Sequence, residues 1–209
     1  MVDQKLFFDD DDRVYLCVSR LMPFRPSPAD PPPVAVILGC EIDLATGASL
    51  SRPVQLARST TTSCAEGPHI LKRDGWYWLL VAEGGTAEHH QVRMSRSKFP
   101  MGPYECPEDD GINPLLFNWL HPTVRNTGHA DFVQDTKGHW WAYFLGTRPQ
   151  SDGSAPLGRE CMMTPMEWRE GEWPTINQGK KVELSFESAV LPPQRFEPLW
   201  KDSFEQGES

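Results

Sequence analysis

Three hairpins built around aromatic residues recur along this chain at intervals of 62 and 64 residues, measured between Tyr15, Tyr77 and Trp141. In the first, the apolar stretches 6–8 and 14–18 flank the acidic turn Asp9-Asp10-Asp11-Asp12-Arg13. In the second, 69–71 and 76–81 flank Lys72-Arg73-Asp74-Gly75, and in the third, 131–133 and 139–145 flank 134–138. Short runs rich in β-branched and aromatic residues, closed by turn formers, read as strands. Their return at a fixed period marks a repeat architecture.

A more polar second hairpin follows each of these. Residues 35–44 pass through Ala45-Thr46-Gly47 into 53–56. Residues 92–97 pass through Pro100-Met101-Gly102 into Pro103-Tyr104-Glu105, and 161–168 through Arg169-Glu170-Gly171 into Glu172-Trp173-Pro174. Two hairpins per repeat predict three consecutive four-stranded antiparallel sheets, with innermost strands beginning near Asp3, His69 and Asp131. No 3.6-residue periodicity lies between the units, and 20 Pro and 16 Gly leave little uninterrupted room for helix. The expected fold is all-β, a β-propeller of which this chain holds about three blades; a plain β-sandwich is the alternative. Propellers typically close with ~4–8 blades, so the chain reads as part of a ring. Residues 1–177 are expected to form the partial propeller. Residues 178–209 lose the repeat and read as a linker (Leu191-Pro192-Pro193) before the opening of a further segment, Trp200-Lys201-Asp202-Ser203-Phe204.

The balance of 20 Lys+Arg against 29 Asp+Glu gives a net charge of −9, which argues against nucleic acid and anionic membrane as partners. No apolar run reaches the ~18 residues of a membrane span, and Met1-Val2-Asp3-Gln4-Lys5 lacks a signal-peptide core. The compartment is left open. Five cysteines without a CxxC pair argue against both a disulfide framework and a zinc cluster. The run from Asp9 to Asp12 lacks the spaced ligands of a calcium loop and reads as a solvated turn. His89-His90 lacks the further ligands zinc requires and reads as non-metal.

Propeller sites lie where the innermost strands begin, so the informative residues are those opening each repeat. Glu66, in Ala65-Glu66-Gly67-Pro68-His69, is a carboxyl at a rigid strand entry and a candidate general acid. Asp3 opens the first repeat, and an ionised Asp3 nearby would keep Glu66 protonated near neutrality. His129, in Gly128-His129-Ala130-Asp131, has small neighbours that let its ring approach the channel axis, to bind an ion, water or substrate. Arg159, behind the Pro- and Gly-rich loop 148–156, presents a planar guanidinium suited to hydroxyls. Trp76, Trp78, Trp140 and Trp141 fall on strands and read as packing, whereas Trp119, in Asn118-Trp119-Leu120-His121-Pro122, reads as an exposed stacking face. Each has an ordinary structural alternative: a solvated loop carboxylate, a frayed terminus, a core histidine, a surface ion pair. No phosphate loop, Gly-x-Ser-x-Gly elbow or His-Glu-x-x-His is present.

Taken in order, Asp3 to Leu6 with Phe7-Phe8-Asp9-Asp10-Asp11, Glu41-Ile42-Asp43-Leu44-Ala45-Thr46-Gly47, Ala65-Glu66-Gly67-Pro68-His69, Val81-Ala82-Glu83-Gly84-Gly85-Thr86, Gly128-His129-Ala130-Asp131, Leu145-Gly146-Thr147-Arg148-Pro149 and Leu157-Gly158-Arg159-Glu160 resemble glycoside hydrolase family 43, the β-xylosidase and α-L-arabinofuranosidase group. The resemblance covers about residues 3–177. It implies a five-bladed propeller, a carbohydrate substrate containing xylose or arabinose, and inverting hydrolysis with three carboxyl groups. It implies Glu66 as the general acid and Asp3 as the aspartate that orients the acid and raises its pKa. It also implies Arg159 as a sugar-binding arginine and His129 as a channel histidine associated with calcium or water; no cofactor is required. The family's general base is an aspartate of the first blade, and the matched segments begin at the second, so this chain is expected to lack the base and to hydrolyse weakly. Asp3-Gln4-Lys5 stands where many relatives have Asp-Pro-Ser, and residues 200–204 resemble the start of a following β-sandwich. A non-catalytic sugar-binding or remnant protein is the competing function.

Overall fold

The computed structural model describes residues 1–22, 34–61, 64–106 and 111–191. The segment 200–204 and the Pro192-Pro193 pair lie outside them. Strands β1 (Val2–Phe8), β2 (Val14–Leu21), β3 (Ala35–Ile42) and β4 (Val54–Arg58) form one antiparallel sheet in that order. Strands β5 (Ala65–Arg73), β6 (Trp76–Glu83) and β7 (Gln91–Ser97) form a second. Strands β8 (Arg125–Gln134), β9 (Trp140–Thr147), β10 (Glu160–Glu167) and β11 (Thr175–Ile176) form the third. A three-residue 3₁₀ turn at Asn177–Gly179 is the sole helical element among the described residues.

Local chemistry accounts for the hairpins. The β5–β6 connection contracts to Asp74-Gly75, with φ of 53° and 69°. Positive φ at both central residues is the two-residue turn whose twist suits antiparallel strands, and Asp-Gly is its favoured pair. Along β6 every second residue faces the same way, and both sets are apolar. Trp78 and Leu80 pack toward the third sheet with Val124, Phe132, Phe144, Met166 and Trp168. Leu79 and Val81 pack toward the first sheet with Cys17, Ile37 and Leu56. The middle sheet is thus buried on both faces and holds its neighbours apart at a fixed spacing. Trp78 meets Trp168 and Trp173 edge-on at 5.3 and 5.0 Å between centroids, the packing role expected of the strand tryptophans.

Among the described residues the middle sheet has three strands rather than four. Pro103 has no N–H to give to a ladder, and Pro103-Tyr104-Glu105 contributes a single bridge, Arg96 to Glu105. The outer edge of β7 is satisfied piecewise instead. Val92 pairs with Leu116, Met94 donates to Asn113 Oδ1 and accepts from Asn113 Nδ2, both at 2.8 Å, and Arg96 exchanges both backbone bonds with Glu105. The side-chain amide of Asn113 therefore does the work of a strand residue. In the third sheet the outermost strand forms at residues 175–176, just beyond the expected 172–174.

Residues following the third sheet stay attached to it. Val182 is buried, exchanging bonds with the buried Asn118 at 2.8 and 3.1 Å, and Phe186 lies 6.1 Å from the Trp141 ring.

Asp9 corrects the solvated-turn expectation. Asp10, Asp11 and Asp12 are exposed, but Asp9 is buried. It accepts bonds from Lys72 Nζ, from the Tyr77 hydroxyl at 2.6 Å and from the Asp10 N–H at 2.8 Å, tying the first hairpin to the middle sheet. Burial alone would raise its pKa; the bonds from Lys72 and Tyr77 outweigh it and hold the carboxyl below its ordinary value. A depressed carboxyl contributes stability above its unfolded pKa, and that stability is lost as pH falls through the folded value. Asp9→Asn should cost about 1–3 kcal/mol at neutral pH, read as a lower Tm. The gap from wild type should narrow once pH drops below about 4.

Candidate functional site

The innermost strands of the three sheets are β1, β5 and β8, and each breaks register close to its start. The irregularities fall between Val2 and Lys5, between Glu66 and His69, and on both sides of Gly128 before Asp131. The first residue of each bulge takes left-handed backbone: Asp3 (φ 54°), Gly67 (54°), Asn126 (54°) and His129 (53°). Such conformations cost non-glycine residues about 1–2 kcal/mol. They persist where surrounding structure dictates them and concentrate at functional sites. A bulge re-aims its side chains, and here it turns Asp3 and His129 toward a shared cavity.

That cavity, of about 270 Å³, is lined by Asp3, Lys5, Gly67, Pro68, His129 and Asp131, with Gln4, His69 and Ala130. Asp3 Oδ2 accepts the Gly67 N–H at 3.0 Å. The His129 ring lies against the Gly67 Cα, where an added Cβ would come within 2.6 Å of Nε2. Gly67 thus joins the first sheet's carboxylate to the third sheet's imidazole. Glu66, half-buried, immediately precedes it but does not line the cavity. Spacing alone put Asp3, Glu66 and His129 in one repeat phase; the bulge register aligns Gly67 with Asp3 and His129, one residue later.

One layer further along the strands, Lys5, His69 and Asp131 occupy equivalent positions. Asp131 Oδ1 lies 2.9 Å from His69 Nδ1 and its Oδ2 lies 3.6 Å from Lys5 Nζ. Partial burial raises the Asp131 pKa, but the bond and charge of His69, aided by Lys5, hold it below the usual carboxylate value. Only the repeat could have revealed this layer: three polar side chains recurring in phase within otherwise apolar strands.

Arg159 is exposed on the turn before β10, and its charge acts on the buried His90, which sequence reasoning considered only as a metal ligand. Trp119 is 52% exposed. Its loop is held by Asn118, whose N–H donates to Thr127 Oγ1 at 3.0 Å and whose amide donates to the Val124 and Val182 carbonyls. Thr127 stands two residues before His129, so the stacking candidate is anchored to the strand that carries the histidine. Calcium needs six to eight oxygen ligands. Among the described residues no three or more His, Cys, Asp or Glu side chains gather so as to hold a metal ion, and His129 packs on glycine. Nor is any helix among the described residues long and apolar enough to cross a membrane.

Comparison with known proteins places these features in a wider set. The sequence model described as "Glycosyl hydrolases family 43" matches residues 1–174. The non-reducing end alpha-L-arabinofuranosidase BoGH43B of Bacteroides ovatus is 35% identical over 168 residues, 79% of this chain and 31% of that protein. The beta-xylosidase of Bacillus subtilis is 32% identical over 169 residues, 75% and 31% of the two chains. The crystal structure of xylan beta-1,4-xylosidase from Bacillus halodurans superposes with a TM-score of 0.79 at 31% identity, covering 94% of this chain and 37% of that one. The chain spans about a third of the length of the curated relatives it matches.

The Gly67 junction gives a direct test. Gly67→Ala would put a methyl group 2.6 Å from His129 Nε2 on a backbone with φ of 54°. We expect a loss of about 1–3 kcal/mol in thermal stability and a displaced His129 ring signal by NMR. An unchanged ring signal would contradict the contact.

Proposed function

Because the chain belongs to glycosyl hydrolase family 43, we propose that it acts on glycosides of xylose or arabinose, in oligo- or polysaccharides, by inverting acid–base hydrolysis. Glu66 is the general acid that protonates the leaving oxygen. Asp3 is the carboxylate that orients the acid's loop. Arg159 and Trp119 hold the sugar, by paired hydrogen bonds and by stacking. The observation that carries this reading is the Asp3–Gly67 bond at 3.0 Å, with His129 packed on the same glycine. It supports a carboxylate and an imidazole from two other sheets gathered around the residue next to the acid. The names of similar proteins, arabinofuranosidases and xylosidases, support a pentose substrate.

In an inverting pair a second carboxylate activates water from the opposite face, ~6.5–9.5 Å from the acid. No matched motif supplies that group, and Asp3, engaged with Gly67, is assigned a different task. The reading therefore gives this chain the acid side of the site, and low turnover is expected from the 209 residues. Binding of sugar without any turnover would favour the non-catalytic alternative.

Glu66→Gln tests the acid by leaving-group dependence. A general acid contributes typically ~10²–10⁴ in rate, and an aryl leaving group relieves the need for it. Turnover of xylobiose or an arabino-oligosaccharide should fall by about that factor, and turnover of an aryl β-xyloside or aryl α-arabinofuranoside by much less. Equal losses on both kinds of substrate would overturn the assignment.

A further inference from the structure

Hydrolysis with inversion needs a second group, across from the acid, that takes a proton from water. The register of the middle sheet brings one within range of Glu66. Glu66 pairs with Ala82 and His69 with Leu80, the bulge on β5 absorbing the extra residue. Positions two apart on a strand share a face, and Leu80 packs toward the third sheet. Glu66 and His69 therefore both sit on that face. Two strand residues span ~6.8 Å, inside the ~6.5–9.5 Å that an inverting acid and base keep between them for water.

His69 lines the cavity of about 270 Å³, and its side chain is 19% exposed. Its Nδ1 lies 2.9 Å from Asp131 Oδ1. A carboxylate only accepts, so Nδ1 carries the proton of this bond, and in the neutral ring Nε2 keeps the lone pair. Asp131 fixes tautomer and ring orientation together, as the aspartate of a Ser-His-Asp triad does. Its other oxygen lies 3.6 Å from Lys5 Nζ, so the carboxylate is held from the first sheet as well. A polar cavity of this size has room for water beside the ring.

We propose that His69 is a general base of this chain, with Asp131 as its positioning residue. Nε2 takes a proton from water as the water oxygen bonds the anomeric carbon. The glycosidic C–O bond breaks, and the leaving oxygen takes the proton of Glu66. A proton passed back through water from the His69 imidazolium to the Glu66 carboxylate restores both groups. The inference rests on the functional reading above, which assigns the acid and the substrate class but no base; the dyad supplies the low turnover expected there.

The experiment follows hydrolysis of an aryl β-xyloside and an aryl α-arabinofuranoside by the 209-residue chain, with xylobiose binding measured separately. His69→Ala should lower turnover by ~10²–10⁴ and leave xylobiose affinity within about threefold. Azide needs no base to attack the anomeric carbon, so adding it to His69→Ala should restore release of the phenol and yield a glycosyl azide of inverted configuration. Asp131→Asn should lower turnover by about 10–100-fold, again with binding kept. If His69→Ala does not fold, carbethoxylation of the wild type, mapped by peptide mass, must remove turnover in step with modification of His69. Unchanged turnover in a folded His69→Ala, a loss that azide does not restore, or modified His69 with turnover intact overturns the base. Xylobiose bound by a wild-type chain that hydrolyses neither aryl glycoside also overturns it, and leaves the sugar reading standing. A chain that neither binds nor hydrolyses overturns both.

Discussion

β6 has no solvent face, and the rest of the molecule is arranged around that fact. A strand buried on both sides normally reads as a continuous apolar run and belongs to a parallel sheet covered by helices. Here the covers are two other antiparallel sheets, one against Trp78 and Leu80 and one against Leu79 and Val81. At roughly 25 cal/mol per Å² of apolar area removed from water, such two-sided burial leaves the flanking sheets few places to sit. Arg73 reinforces the third-sheet contact, its guanidinium 5.0 and 5.1 Å from the Trp140 and Trp168 ring centres. Asp9 and Tyr77 do the same for the first sheet through a buried polar link. With both neighbours fixed, the starts of β1, β5 and β8 meet around one cavity.

The strands alone would not make a site there. Regular pleating would alternate side chains along each innermost strand, and the register breaks at Asp3, Gly67 and His129 interrupt that alternation where it matters. The left-handed backbone at Asp3 and His129 is unfavourable in isolation and is offset by the packing that fixes the strands on either side. Gly67 is where small size and positive φ are both required, because an imidazole occupies the space its side chain would fill.

Much of the architecture was legible because it is written in local chemistry. Alternating apolar runs, the Asp74-Gly75 turn and the repeat of aromatic positions all act over a few residues or through a fixed period. Family resemblance added the five-bladed propeller of which these three sheets are a part, a fold shared with the solved relatives. What escaped was set by distant partners. Asp9 looked like its three exposed neighbours because Lys72 and Tyr77 lie more than sixty residues away. The missing fourth strand of the middle sheet was disguised by a hairpin-like Pro103-Tyr104-Glu105. A bulge of two residues shifts the phase by one without altering the hydrophobic pattern nearby, so Glu66 rather than Gly67 looked equivalent to Asp3. His90 was weighed for metal binding, whereas its bond to the Asn126 carbonyl depends on a loop 36 residues on.

The amide of Asn113, bonded to both backbone groups of Met94, has a consequence for how copies of this chain behave toward one another. An exposed sheet edge is a template: a row of free N–H and C=O groups on which a strand from another molecule can zip up. On β7 that row is occupied at Val92 and Arg96 by short pieces of backbone and at Met94 by a side chain. An incoming strand would have to displace three unrelated partners in succession before it gained a continuous ladder. With no fourth strand among the described residues, the middle sheet is still not an open template for intermolecular pairing, because a single asparagine closes the gap between two short backbone bridges.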